Sequence, residues 1–130
     1  APRDEAIRLG DWLLGARVDA SRWAGAAWGY HFAWEARAFY VPLGTPNVIT
    51  TCYVATALRH LSAATEDARY AAAADAAAVF IHRELGCARE GAFHYSYVPG
   101  ETALVHNANL WAAAIVAEGV AATGDATMAD

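Results

Sequence analysis

The chain is 130 residues long, enough for one domain, and 57% hydrophobic against 18% charged residues sets it among globular rather than disordered sequences. Its 9 basic and 14 acidic side chains give a formal charge of -5, and no Lys/Arg cluster supplies the footprint that phosphate binding needs, so nucleic acid is excluded as a partner. Cys52 and Cys87 lack the close spacing of a zinc or redox pair, Asp75 and Glu118 interrupt the apolar runs before membrane-spanning length, and the N-terminus has no signal-peptide pattern. The expectation is a soluble, cytoplasmic protein with reduced thiols, no metal and no cofactor.

From Arg3 to about Arg17, Asp4, Arg8 and Asp11 fall on one side of a helix and Ile7, Gly10, Leu13 and Leu14 on the other, the pattern of an amphipathic outer helix. The next long segment, Val18 to Pro46, is rich in Gly, Pro and aromatics and reads as a loop. Asn47 to Ala64 is apolar around its whole axis, through Val48, Ile49, Val54, Leu58 and Leu61, and predicts a helix buried almost all round. After a short link at Thr65-Glu66, Asp67 to Leu85 is amphipathic again. Gly86 to Val105 forms a second long loop, and His106 to about Ala122 returns to the buried type, with only Glu118 charged. The fold class predicted is all-α: one domain over 1–130, two helical hairpins in the order outer, inner, outer, inner, with repeats over about 3–65 and 66–123. Such a pair is an incomplete α/α toroid, and the turn and helix-start signal Thr123-Gly124-Asp125, just before the chain stops at Asp130, reads as the beginning of a further element.

The two long loops repeat each other. Ala27-Trp28-Gly29-Tyr30-His31-Phe32 matches Ala92-Phe93-His94-Tyr95-Ser96-Tyr97, with aromatics at alternate positions and Gly25 and Gly91 just upstream, an alternation that belongs to extended chain. Trp12-Leu13 has its counterpart in Phe80-Ile81, so helix and loop repeat together.

An outer helix bearing an aromatic-Leu pair, then Gly and an aromatic before an inner helix, resembles the repeats of terpenoid-cyclase and prenyltransferase toroids, although no D-x-D-D acid motif occurs. Trp28-Gly29-Tyr30, Phe32, Trp34, Arg37, Gly44-Thr45-Pro46-Asn47, Thr50-Thr51 and His106-Asn107-Ala108-Asn109-Leu110 look more like a family of bacterial toroid proteins. That resemblance covers Trp12 to Thr123 and implies an α/α toroid linked to polysaccharide biosynthesis. The chain departs from the family's Pro, Asp and Gln at His31, Ala33 and Glu35.

In a toroid the loops entering the inner helices open on one end of the central cavity, where helix N-termini offer unpaired N–H groups to a hydroxyl-rich or anionic ligand. The candidate catalytic residues are Glu35 and His106, the second because an imidazole titrates near neutrality. Tyr30, Trp34, Arg37, Thr51, Tyr95, Tyr97, Asn107 and Asn109 are the candidate substrate-binding residues. Competing roles are structural: Asn47 and Asn107 as helix caps, a Glu35–Arg37 pair holding the loop, Trp28 and Phe93 as packing between hairpins. No second carboxylate suits a glycosidase pair, so whether the chain is an enzyme stays open, with a part of a carbohydrate-active enzyme favoured. The leading expectation is a saccharide-binding toroid module that self-associates or belongs to a larger toroid; the alternatives are an isoprenoid-cyclase-like toroid and a non-catalytic helical-repeat scaffold.

Overall fold

The computed structural model describes residues 1–128. Four long helices, α1 (Pro2–Gly15), α2 (Val48–Thr65), α3 (Ala68–Leu85) and α4 (His106–Thr123), lie within a residue or two of the predicted spans. Local chemistry accounts for their ends. Pro2, with Asp4 and Glu5 in the first turn, opens α1, where a missing N–H costs nothing and negative charge meets the helix dipole. Asn47 caps α2 by accepting the Thr50 N–H at 2.9 Å. The link to α3 is brief because adjacent residues perform both terminations: Glu66 takes the left-handed conformation that ends α2, and Asp67 accepts the Arg69 N–H that starts α3. Gly124, at φ 70°, ends α4, and Asp125 then caps a short 3-10 turn, Ala126–Met128.

The all-α expectation is overturned. Each long loop contains a two-stranded antiparallel sheet, so the chain is mostly helical but mixed α/β. In the first, β1 (Trp34–Glu35) pairs with β2 (Tyr40–Val41), Trp34 opposite Val41. In the second, β3 (Gly86–Arg89) pairs with β4 (Ala92–Tyr95), Gly86 opposite Tyr95. The alternating aromatics had implied extended chain at 27–32 and 92–97; the second contains β4, whereas the first makes only an isolated bridge, Gly29 with Pro46, and the first sheet lies beyond it. A strand alone leaves its backbone groups unpaired, and the hairpin turns at 36–39 and 90–91 supply the partners. Glu90 and Gly91 both adopt positive φ in the second turn.

The helices form two layers. Tyr53 of α2 meets Trp111 of α4 with ring centroids 4.3 Å apart, and further along Arg59 of α2 reaches Glu118 of α4 at 3.5 Å. These inner helices therefore run side by side in the same direction. α1 runs opposite to α2: its Gly10 backs onto Leu61, near the end of α2, while its Leu13 carbonyl accepts the indole N–H of Trp28, whose backbone sits over Thr51 near the start of α2.

Burial is distributed differently from the inner–outer expectation. The most enclosed helix is α3, with Tyr70, Ala74, Ala77, Ala78, Phe80, Ile81 and Leu85 all at 0% exposure. It lies against α1, α2 and α4, and its alanines let all three approach closely. The inner helices, although apolar around their axes, each keep an open side: Tyr53 is 64% and Leu110 69% exposed. No helix among the described residues is long and apolar enough to cross a membrane.

Candidate functional site

The loop aromatics from the two repeats meet. The Tyr30 hydroxyl hydrogen-bonds the Tyr97 hydroxyl at 2.8 Å, and Trp34 lies 6.1 Å from the Tyr30 ring and 5.4 Å from the Tyr97 ring. Phe39 packs against both Trp34 and Tyr97, and Phe32 stacks on Tyr30. Three predicted ligand residues, Tyr30, Trp34 and Tyr97, thus converge, but chiefly on one another. Tyr97 is 6% exposed, and burial together with the bond to Tyr30 pushes its phenol well above the ordinary range. The cluster ties the first loop to the second and leaves Tyr30, Phe32 and Trp34 as its accessible edge.

Thr51 and Asn109 are scaffold groups. Each is the fourth residue of its inner helix. Thr51 Oγ1 accepts the backbone N–H of Trp28 at 3.1 Å, and Asn109 Oδ1 accepts that of Tyr95 at 2.8 Å. Thr51 is fully buried, beyond the reach of a ligand. They had looked free for ligand because neither caps a helix; the competing demand is the loop backbone, whose N–H groups need acceptors when buried. The paired bonds also set the true register of the repeat: Trp28 corresponds to Tyr95, two residues from the match with Phe93. Trp28 is packed as expected, at 3% exposure, whereas Phe93 is 55% exposed.

Tyr95 is buried beneath the second hairpin, its hydroxyl 3.4 Å from His82 Nδ1, and burial raises its phenol also. His82 is consequently half-buried and not the surface residue expected near a helix end. Glu35 and Arg37 are exposed on the first sheet and its turn, and among the described residues they form no ion pair with each other or with any other group. Asn107 is no cap either: α4 begins after Val105 without a side-chain cap, and His106 and Asn107 lie exposed on its first turn.

The sequence placed the inner helices in the interior and so missed the exposed Tyr53 and the half-buried Trp111 beside it. Their edge-to-face pair, at an interplanar angle of 78°, stands where the N-terminal halves of α2 and α4 run together. Asn107 precedes Trp111 by four positions and Thr50 precedes Tyr53 by three, spacings that put each on the same helix face as its aromatic. Beside them an open groove runs between α1 and α2. Its upper part, of about 510 Å³, is lined by Trp12, Phe32, Ile49, Thr50 and Tyr53 among others, and its lower part, of about 410 Å³, by Leu9, Leu13, Ala57 and Leu61. Among the described residues no group of His, Cys, Asp and Glu is placed to hold a metal ion.

Comparison of the chain with protein families, with curated proteins and with solved structures finds no match in any of the three.

Proposed function

We propose that this chain is a helical-hairpin module that binds a saccharide or glycan precursor on the face shared by its two inner helices, in a protein of polysaccharide biosynthesis. The observation that carries this reading is the Tyr53–Trp111 pair: two aromatic rings 4.3 Å apart, Tyr53 64% exposed, with a carboxamide and a hydroxyl one turn away. The C–H face of a sugar ring packs on such rings, and hydroxyls around it need donors and acceptors of the kind that Asn107, Thr50 and the Tyr53 phenol offer. The neighbouring Tyr30, Phe32 and Trp34 edge would extend the platform toward the first loop. The role is binding. Glu35 and His106 come from different repeats, and among the described residues neither has a side-chain partner that would orient it for proton transfer.

Titration with a panel of neutral and acidic oligosaccharides, read by tryptophan fluorescence, tests the proposal. Tyr53→Ala and Asn107→Ala should each weaken binding by about 1–3 kcal/mol, the usual cost of a lost stacking or paired polar contact, without lowering the melting temperature. Binding of a long-chain isoprenoid with no saccharide response would favour the cyclase-like alternative, and no response to either would leave the scaffold.

A further inference from the structure

We infer that the chain docks head to tail on a second copy of itself, the free face of α4 entering the open α1–α2 groove of the next copy. This inference rests on the internal repeat and is independent of the saccharide reading. The helices of the two hairpins correspond residue by residue. Thr51 and Asn109 hold equivalent loop N–H groups, and the contact of Gly10 with Leu61 in the first hairpin recurs in the second as that of Ala78 with Gly119. With Trp12 laid on Phe80 and Val48 on His106, each residue of α1 and α2 has a counterpart on α3 or α4, while the loops between them differ in length.

The molecule buries one hairpin-to-hairpin interface in its middle. On the α2 side, Arg59 pairs with Asp75 and Glu118 of the second hairpin, so the stripe Cys52, Ala55 and Arg59 faces that hairpin. On α3, Ala78 faces α4 while Ala76 and Phe80 face the Trp23–Ala26 loop, which leaves Ala74, Ala77 and Ile81 against α2. Cys52, Ala55, Ala74, Ala77 and Ile81 are all at 0% or 1% exposure.

Each half of that interface occurs a second time with nothing on it among the described residues. The counterparts of Cys52 and Ala55 are Leu110 and Ala113 on α4, both open, Leu110 at 69%. The counterparts of Ala74, Ala77 and Ile81 are Ala6, Leu9 and Leu13, the wall of the lower groove, with Leu9 at 45%. One end of the molecule therefore carries the knob and the other the socket of a contact it already makes internally. The charges agree. Arg59, Asp75 and Glu118 have as counterparts Ala117, Ile7 and His60, so the ionic trio is absent from both open faces at once and their union buries no unpaired acid or Arg. Knob and socket lie on opposite flanks, which makes the contact heterologous, the kind that builds rings or open arrays rather than closed twofold dimers. Since Tyr53 and Trp111 are themselves counterparts, docking would set Trp111 of one copy beside Tyr53 of the next and continue the aromatic row.

Sedimentation velocity of the full chain across micromolar concentrations tests this. The expected result is a mass above that of the monomer that rises with concentration. Leu9→Glu spoils only the socket and Leu110→Glu only the knob; each variant alone should stay monomeric, while an equimolar mixture should form a one-to-one heterodimer and nothing larger. Both side chains are exposed, and unchanged thermal melting would show that the variants fold; Ala6→Glu and Ala113→Glu serve as a second pair. A monomeric wild type, a single variant that assembles like wild type, or two folded variants that fail to pair would each overturn the inference.

Discussion

Two side chains carry more of this architecture than their size suggests. Thr51 and Asn109 each reach from an inner helix to one backbone N–H of the preceding loop, and replacing them by apolar isosteres leaves a buried donor without an acceptor. Thr51→Val and Asn109→Leu should each cost about 1–3 kcal/mol in chemical denaturation, with binding affected only in proportion to unfolding. A selective loss of ligand at constant stability would return Asn109 to the binding surface. Asn47 differs: its Oδ1 caps α2, but Nδ2 is a buried donor without a partner among the described residues. Asn47→Ser keeps the cap and removes the orphan, so it should match or exceed wild-type stability, while Asn47→Ala should lose about 1 kcal/mol. The cysteines also part company. Cys52 is fully enclosed, and burial first, then the Glu118 charge, lifts its thiol to about 12. A thiol-disulfide reagent at neutral pH should therefore label the half-buried Cys87 in the native protein and Cys52 only on unfolding; equal labelling rates would contradict the burial.

Among the elements, α3 owes its central position to composition. Its alanine stripe permits contact with three helices at once, and larger residues would hold them apart. The crossing of α3 and α4 is equally close, because a Cβ on Gly119 would press into Ala78. Gly119→Val should accordingly destabilise by about 1–3 kcal/mol through overpacking, against any gain from helix propensity. Across the same junction Arg59 binds Asp75 at 2.9 Å and reaches Glu118, with Arg59 and Asp75 only about a quarter exposed. Arg59→Met would keep the aliphatic stem and strand the Asp75 carboxylate, with an expected loss of about 1 kcal/mol after solvent screening. Recovery of that loss by adding Asp75→Ala, measured as a double-mutant cycle, would assign it to the ion pair.

At the scale of the whole molecule, alkaline sensitivity follows from the buried acids. Tyr97, Tyr95 and Cys52 all have folded pKa values above the ordinary ones, chiefly through burial. An unfolded chain begins to release the Cys proton near pH ~8.5 and the Tyr protons near ~10, while the folded chain retains them. Below these values the stabilisation is fully present. It should decline as pH rises past about 8.5 and more steeply past about 10, read as a falling denaturation midpoint, and Tyr97→Phe should flatten the upper limb. A midpoint constant to high pH would mean that the phenols are more accessible than their packing indicates.

Helix spans, the Asn47 cap and the turn after α4 at Gly124 were legible in the sequence because each depends on neighbours a few positions away, whereas the expected Asn107 cap is not made and Asp67 caps α3 without having been anticipated. Alternating aromatics marked extended chain at 92–95, since side-chain alternation is a property of the strand itself, but at 27–32 the same pattern gave only a single bridge. Strand partners, the register of the repeat and the ownership of each polar atom were decided by tertiary structure. Whether Asn109 faces a ligand or the Tyr95 N–H depends on where a loop fourteen residues away returns, and local spacing carries no record of that. Inner and outer burial failed for the same reason. An axis apolar all round predicts burial only when neighbours surround it, and α4, with α2 and α3 beside it, keeps Leu110 and Ala113 open while the alanine-striped α3 takes the centre.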